Sequence, residues 1–188
     1  MRILYALALC TAACGTDVST GDDMGSGSNQ PPDGAAEFAD TCATCHGADA
    51  MGTDKAPQIL SPVVGYATYV VRHGRNDMGY PAPMDLFQVA DLSDAQLTAI
   101  LAWLDAAPRP TTGKDLYTRY CQNCHGANGR SGRVLKNIVR EVNNLASEVR
   151  FGHGGTNYAA RYDYMPSWTI DQISDADLTA LRTYVSGL

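Results

Sequence analysis

Two copies of one short cysteine motif constrain the fold of this chain more than any other feature. Residues 42–46 read Cys-Ala-Thr-Cys-His, residues 121–125 read Cys-Gln-Asn-Cys-His, and a glycine follows each copy. Two cysteines three residues apart lie on one face of a helical turn, and the histidine comes directly after them. Cys-x-x-Cys-His is the attachment signature of a c-type haem.

The residue types of the motif match the chemistry of haem attachment. Two thiols on one face can each add to a vinyl group of one porphyrin, and the adjacent histidine then lies beneath the iron as proximal ligand. The predicted thioether donors are Cys42, Cys45, Cys121 and Cys124, and the predicted proximal ligands are His46 and His125. We therefore predict two covalently attached haems c as the cofactors.

Two other interpretations of a Cys-x-x-Cys pair fit the sequence less well. A thioredoxin-like redox pair belongs in a βαβ pattern, which the sequence does not show. A zinc site would need four thiolates to converge from the two motifs. It would also leave the histidine after each pair unexplained.

The rest of the chain repeats at nearly the same spacing as the motifs. Residues 92–99 (LSDAQLTA) match residues 173–180 (ISDADLTA), and residues 71–74 (VRHG) match residues 149–152 (VRFG). A near-constant offset predicts a tandem duplication in which each copy carries its own haem. The predicted boundaries are 34–108 and 113–188 for the two copies and 109–112 for the connector.

Each copy is small enough that the haem must serve as its core. About 75 residues bury too little apolar surface to be comfortably stable alone. We predict an all-α fold with about three to four helices around each haem. The last helix of each copy should start after Ser93 or Ser174, an N-cap residue followed three positions later by Gln96 or Asp177.

The middle helix is predicted to differ between the copies. In the first copy Pro57 and Pro62 interrupt the pattern, so that only about residues 65–72 should be helical. In the second copy apolar residues at helical spacing predict a longer helix. Its stripe comprises Val134, Leu135, Ile138, Val139, Val142, Leu145 and Val149.

The first 33 residues are predicted to be an export signal and a spacer. Residues 1–14 carry the basic Arg2 after the initial methionine and continue with an apolar run too short to span a bilayer. Residues 11–15 (TAACG) resemble a bacterial lipobox, which would make Cys14 the site of lipidation, although Thr11 stands where that pattern prefers leucine. The alternative is a plain signal peptide cleaved near Ala13. Residues 15–33 predict a flexible linker.

With these features in place, the sequence resembles the class I cytochromes c, specifically the bacterial dihaem type with two tandem domains. In that family a small residue and an aromatic residue of the first helix pack against an aromatic residue of the last. The matching residues are Gly34, Phe38 and Trp103 in the first copy and Gly113, Tyr117 and Tyr184 in the second. The resemblance covers residues 34–188 and implies single-electron transfer.

The resemblance also implies an axial methionine just ahead of the last helix. The candidates for a second iron ligand are Met51, Met78, Met84, Met165, His73 and His153. Met84 and Met165 each lie eight residues before the repeated 92–99 or 173–180 segment, so they are equivalent, and the two histidines do not align with each other. Met78 remains a competitor in the first copy.

The family comparison also suggests how the proximal histidines are oriented. In class I cytochromes c a proline carbonyl commonly orients the proximal histidine. Pro57 matches that position for His46, and the second copy has no proline there.

The charge distribution bears on partners. Residues 34–108 carry a net charge of −6 and residues 113–188 carry +2, which suggests redox protein partners of opposite charge preference for the two copies. Basic residues are too few and too mixed for a nucleic-acid role. A membrane would be contacted only through the N-terminal lipid anchor, on the periplasmic side.

We therefore expect a periplasmic electron carrier that is not itself an enzyme. A second hypothesis makes the chain a haem-bearing subunit of a larger dehydrogenase or oxidase. A third is a peroxidase-type enzyme with one open iron. The paired methionines argue against the third, because two protein ligands on an iron favour electron transfer over catalysis.

Overall fold

A computed structural model describes residues 30–75, 83–130, 132–160 and 162–188 of the chain. The predicted leader with Cys14, most of the predicted linker and Met78 lie outside these residues. From Pro31 to Leu188 the chain forms one compact unit. Its described residues form helices and no β-strand, so the predicted all-α fold is confirmed.

Within the described residues, each copy contributes four α-helices in the same order. The first copy contains α1 (Gly34–Thr41), α2 (Ala43–His46), α3 (Val64–His73) and α4 (Asp94–Asp105). The second contains α5 (Gly113–Tyr120), α6 (Gln122–His125), α7 (Leu145–Phe151) and α8 (Asp175–Ser186), with a 3-10 turn (Val142–Asn144) before α7. No helix within the described ranges has the length and apolar character that crossing a bilayer requires.

The first and last helices of each copy cross closely at a glycine. A Cβ atom on Gly34 would lie 2.6 Å from the carbonyl carbon of Ala99, and one on Gly113 would lie 2.8 Å from that of Ala180. Both crossings therefore exclude a side chain. The predicted aromatic pairs are in contact beside them, at centroid distances of 4.7 Å for Phe38 with Trp103 and 5.4 Å for Tyr117 with Tyr184.

The predicted capping signals of the last helices are confirmed. The hydroxyl of Ser93 accepts from the amide of Gln96, and the Gln96 side chain accepts from the amide of Ser93. Ser174 and Asp177 form the same reciprocal pair. These helices bury Leu97, Ile100, Leu101 and Leu104 in one core and Leu178, Leu181 and Val185 in the other.

The prediction of a long middle helix in the second copy is wrong. Residues 134–141 are not helical, and α7 begins only at Leu145. Leu135 has a φ of 54° and is 77% exposed. The backbone amide of Val134 donates to the carbonyl of Cys124 (3.3 Å) and that of Ile138 donates to Gly129 (2.9 Å). These bonds to the haem-motif loop replace the bonds that a helix would need. In the first copy α3 matches the prediction closely.

Polar contacts join the loop before α3 of the first copy to the first helix of the second copy, α5. The side-chain amide of Gln58 donates to the carbonyl of Arg119 (2.5 Å) and to that of Thr118 (3.4 Å). The guanidinium of Arg119 donates to the hydroxyl of Ser61 (3.1 Å). Gln58 thus satisfies carbonyl groups in the last turn of α5, which have no partner inside the helix.

Candidate haem-binding site

Each cysteine motif forms a single helical turn between a first helix and a glycine. Cys42 ends α1 and precedes α2, and the amide of His46 donates to its carbonyl (3.0 Å). The second motif repeats this geometry, with a distance of 2.9 Å from His125 to Cys121. Gly47 and Gly126 follow with φ of 80° and 74°, a conformation that glycine adopts without steric cost. Both thiols and the imidazole are therefore presented from one turn.

One continuous cavity of about 890 Å³ is lined by both motifs. None of the four motif cysteines is in a disulfide within the described part of the chain. The predicted haem ligands lining this cavity are Cys42, Cys45, His46 and Met84 from the first copy and Cys121, Cys124, His125 and Met165 from the second. This donor set, on apolar walls, fits two covalently attached haems.

The predicted proximal histidine of the first copy contacts the proline carbonyl that was expected to orient it. The Nδ1 atom of His46 lies 2.8 Å from the carbonyl oxygen of Pro57. A carbonyl can only accept, so Nδ1 carries the proton and Nε2 is left as the metal-binding nitrogen. Burial lowers the pKa of His46 and outweighs the opposing effect of this hydrogen bond. The imidazole is therefore held neutral, the form that ligates iron.

The predicted proximal histidine of the second copy, His125, has no equivalent hydrogen bond of normal geometry within the described residues. Lys136 stands eleven residues after His125, as Pro57 does after His46. The backbone of Lys136 acts to raise the pKa of His125, but burial of the imidazole acts more strongly and lowers this pKa. No hydrogen bond of normal geometry reaches Nδ1 of His125 from the described residues. The two copies thus differ at the position where the second copy lacks the proline.

The two predicted axial methionines occupy equivalent positions. The amide of Met84 donates to the carbonyl of Arg75 (2.7 Å), and Arg75 donates back to Met84 (2.8 Å). Met165 forms the same two-bond bridge with His153, at 3.1 and 2.8 Å. Arg75 and His153 occupy matching positions in the sequence repeat, 78 residues apart. They therefore also occupy equivalent positions in the structure. Iron ligation by Met84 and Met165 stays a prediction.

Three other candidate ligands, His73, Met51 and His153, lie within the described residues. The ring of His73 stacks on Tyr69 at a centroid distance of 4.0 Å, and its Nδ1 lies 2.9 Å from the carbonyl of Tyr69. Met51 is half exposed beside the first motif. His153 lines the cavity, but its imidazole contacts the carboxylate of Glu148.

The chain around each predicted axial methionine, Met84 or Met165, is here called the methionine loop. An arginine in each copy anchors this loop, and sequence reasoning did not identify it. Arg72 donates to the carbonyls of Phe87 (2.9 Å) and Leu92 (2.8 Å) and to Asp94 (2.7 Å). Arg150 also makes three contacts in the second copy, to the carbonyls of Trp168 and Thr169 and to Asp175. Trp168 and Asp175 are the repeat equivalents of Phe87 and Asp94. The repeated Val-Arg-x-Gly segment carried the signal. Each arginine ties the chain after the methionine to the start of the last helix.

Comparison with known families agrees with this arrangement. The sequence model described as "Cytochrome C oxidase, cbb3-type, subunit III" matches residues 29–104 and again residues 108–185. The chain belongs to this family. The two matches correspond to the two copies, and membership of the subunit III family means that each copy covalently binds one haem c.

Individual relatives cover the chain to different extents. The subunit FixP of the cbb3-type cytochrome c oxidase of Azorhizobium caulinodans is 27% identical over 83% of this chain and 59% of its own length. The chain therefore spans about 60% of that curated relative. A thiosulfate dehydrogenase electron acceptor of Stutzerimonas stutzeri is 38% identical over 41% of this chain and 36% of its own length.

A solved structure shows only a distant likeness. Cytochrome c4 from Pseudomonas stutzeri is 17% identical, with 82% of this chain and 96% of that chain covered. Its TM-score is 0.33, too low to support any argument about this subunit III family member.

Proposed function

We propose that the chain is a periplasmic electron carrier that passes single electrons through two haems c with histidine and methionine as axial ligands. Residues 34–108 and 113–188 are the proposed domains. The observation that carries the proposal is the pair of equivalent bridges that hold Met84 and Met165 against the cavity of the haem motifs. A bound haem supplies the iron that takes up and releases the electron.

The residues of the chain have three tasks in this function. The motif cysteines fix the cofactor covalently, so that it cannot be lost. His46 and His125 are buried and present a neutral nitrogen. Met84 and Met165 offer soft thioether sulfur, which favours the ferrous state and raises the reduction potential. With both axial positions filled by protein, neither iron offers a site for substrate.

Spectroscopy of methionine variants tests the ligand assignment. Met84→Ala and Met165→Ala should each remove the methionine-to-ferric-iron charge-transfer band of one haem, and Met78→Ala should keep both bands. Loss of a band in Met78→Ala, with both bands kept in Met84→Ala, would refute the assignment in the first copy. Rapid carbon monoxide binding by one native ferrous haem would favour the peroxidase-type alternative.

A second candidate function follows from family membership. The FixP relative is named as a subunit of a cbb3-type oxidase, so this chain could deliver electrons within such a complex. The thiosulfate dehydrogenase electron acceptor is named for taking electrons from an enzyme, which agrees better with a separate carrier. Purification of the tagged chain under mild conditions decides between them. Co-purification of a larger catalytic chain in a fixed ratio would favour the subunit hypothesis.

The charges of the two copies support directional docking of redox partners. The first copy carries −6 and the second +2, and complementary charge mainly sets the encounter rate and orientation. We propose that an acidic partner docks on the second copy and a basic partner on the first. Electron-transfer rates with such partners should fall with rising ionic strength, and salt-independent rates would exclude this docking.

We further propose that Cys14 is lipidated and tethers the chain to the periplasmic side of a bacterial membrane. Support comes from the small residues before Cys14 and from the polar segment after it. Labelled fatty acid should be incorporated into the wild type and into Cys10→Ala, and not into Cys14→Ala. Absence of label from the wild type would overturn the lipid anchor and leave a plain export signal, and equal labelling of all three would exclude Cys14 as the lipidated residue.

A further inference from the structure

Four tyrosines from the two copies form one aromatic cluster, which we call the tyrosine bridge. Tyr66 and Tyr69 lie on α3 of the first copy, and Tyr158 and Tyr164 lie in the segment before Met165. Tyr66 stacks on Tyr164 at a centroid distance of 4.8 Å and an interplanar angle of 29°. Tyr158 contacts the other three rings at 5.1 to 5.9 Å.

The tyrosine bridge connects the two methionine loops. Arg75 is joined to Met84 by the paired backbone hydrogen bonds, and its guanidinium donates to the hydroxyl of Tyr66. The same guanidinium lies 5.6 Å from the centre of the Tyr66 ring. Tyr66 stacks on Tyr164, the residue immediately before Met165. A continuous series of contacts therefore runs from one predicted axial ligand to the other.

A glycine in α3 makes room for the side chain of Tyr158. A Cβ atom on Gly65 would collide with the hydroxyl of Tyr158 and lie 3.2 Å from its Cζ atom. Gly65 is the second residue of α3, where alanine would still be favoured, by at most about 1 kcal/mol, if the site were open. The absence of a side chain there is explained by the approach of the Tyr158 ring.

Within the described residues, only the segment before Met165 is braced by a tyrosine of the other copy in this way. The residue before Met84 is Pro83, which is exposed, whereas the residue before Met165 is the buried Tyr164. The position of Tyr66 in the first copy corresponds by the repeat offset to the polar Asn144 in the second. The Met165 loop of the second copy therefore depends on a contact from the first copy.

We propose that Tyr66 is a positioning residue for Met165, so that the first copy determines how firmly the iron of the second copy holds its sulfur. The proposal rests on the proposed function, because Met165 must be the axial ligand. Loss of the ring would leave Tyr164 without its stacking partner from α3. The Met165 loop would then open more often, and an external ligand would compete better for the iron.

Imidazole titration of the ferric, haem-loaded protein tests the proposal. Tyr66→Leu should raise the imidazole affinity of the second haem about two- to tenfold, the factor that corresponds to one aromatic pair. Tyr69→Leu is the matched control: it removes a ring from the same cluster and helix that does not contact Tyr164. Tyr66→Phe keeps the stacked ring and should stay within about twofold of the wild type.

Two further measurements separate positioning from general damage. Tyr66→Leu should speed amide hydrogen exchange at Tyr164 and Met165 more than at residues of α8. Gly65→Ala should also raise the imidazole affinity of the second haem, because its new methyl group displaces Tyr158, even though alanine suits the helix better than glycine. Equal effects of Tyr66→Leu on both haems would indicate general loosening and overturn the proposal.

The failure of the ligand assignment can be distinguished from the failure of the positioning role. If Met165→Ala leaves both charge-transfer bands in place, Met165 is not a ligand and the proposed function fails in the second copy. If Met165→Ala removes one band but Tyr66→Leu leaves the imidazole affinity of that haem unchanged, Met165 is the ligand and Tyr66 does not position it.

Discussion

Replacing Gly113 by alanine tests the close crossing of α5 and α8. A Cβ atom at this position would collide with the carbonyl oxygen of Ala180 and lie 2.9 Å from the Cβ of Tyr184. Both obstacles belong to the backbone or its first side-chain atom, so no rotation of a side chain relieves them. The two helices would have to move apart, and the contact between Tyr117 and Tyr184 would be disturbed.

The expected cost follows from opposing contributions. Overpacking of a close contact costs about 1–3 kcal/mol, and a disturbed aromatic pair adds about 0.5–1.5 kcal/mol. Alanine regains at most about 1 kcal/mol over glycine through helix propensity, and less at Gly113, which is the first residue of α5. We expect the free energy of unfolding to fall by about 2 kcal/mol, which lowers the melting temperature of a compact unit of this size by roughly 4–8 °C.

Denaturant unfolding of the haem-loaded protein, followed by circular dichroism, measures this loss. Gly187→Ala is the control, because a Cβ there would lie 3.4 Å from the nearest atom and the backbone φ is −91°. The control should stay within about 0.5 kcal/mol of the wild type. If Gly113→Ala unfolds at the same denaturant concentration as the control, the helices do not cross as closely as described.

Three further predictions concern the loops, the caps and the haem potentials. Arg72→Leu should destabilise the first copy by about 1–3 kcal/mol because buried carbonyls lose their donor, whereas Asp94→Ala, whose side chain is 79% exposed, should cost under about 1 kcal/mol in thermal unfolding. Ser174→Ala should cost about 1 kcal/mol through loss of the capping box, and Ser186→Ala, at the opposite end of α8, serves as its control. The haem bound by His46 should have the lower reduction potential in a redox titration, because its imidazole is hydrogen-bonded and its domain is more acidic; the reverse order would contradict this.

Features set by local sequence could be predicted, and these define most of the site. The capping boxes at Ser93 and Ser174 depend on residues three positions apart, and the haem motif specifies its own helical turn. The repeat then placed Met84 and Met165 in equivalent positions, because two copies with one fold must use the same register. The bridges to Arg75 and His153 agree with that register.

Features set by contacts between distant segments could not be predicted. The apolar stripe around Val134 and Ile138 has helical periodicity, but its amides bond to the haem-motif loop, and tertiary contacts override local propensity. The three acceptors of Arg72 lie 15 to 22 residues away in sequence. The stacking of Tyr66 on Tyr164 joins the two copies, and a repeat alignment within one copy contains no information about it.

Burial of the motif cysteines has a consequence for how the protein is made. Burial raises the pKa of Cys121 to about 12 and that of Cys42 to about 11. A thiol reacts through its thiolate, so these two sulfurs would carry less thiolate near neutral pH in a folded, haem-free chain than in an unfolded one. The packing of α1 and α5 therefore favours haem attachment before the chain folds.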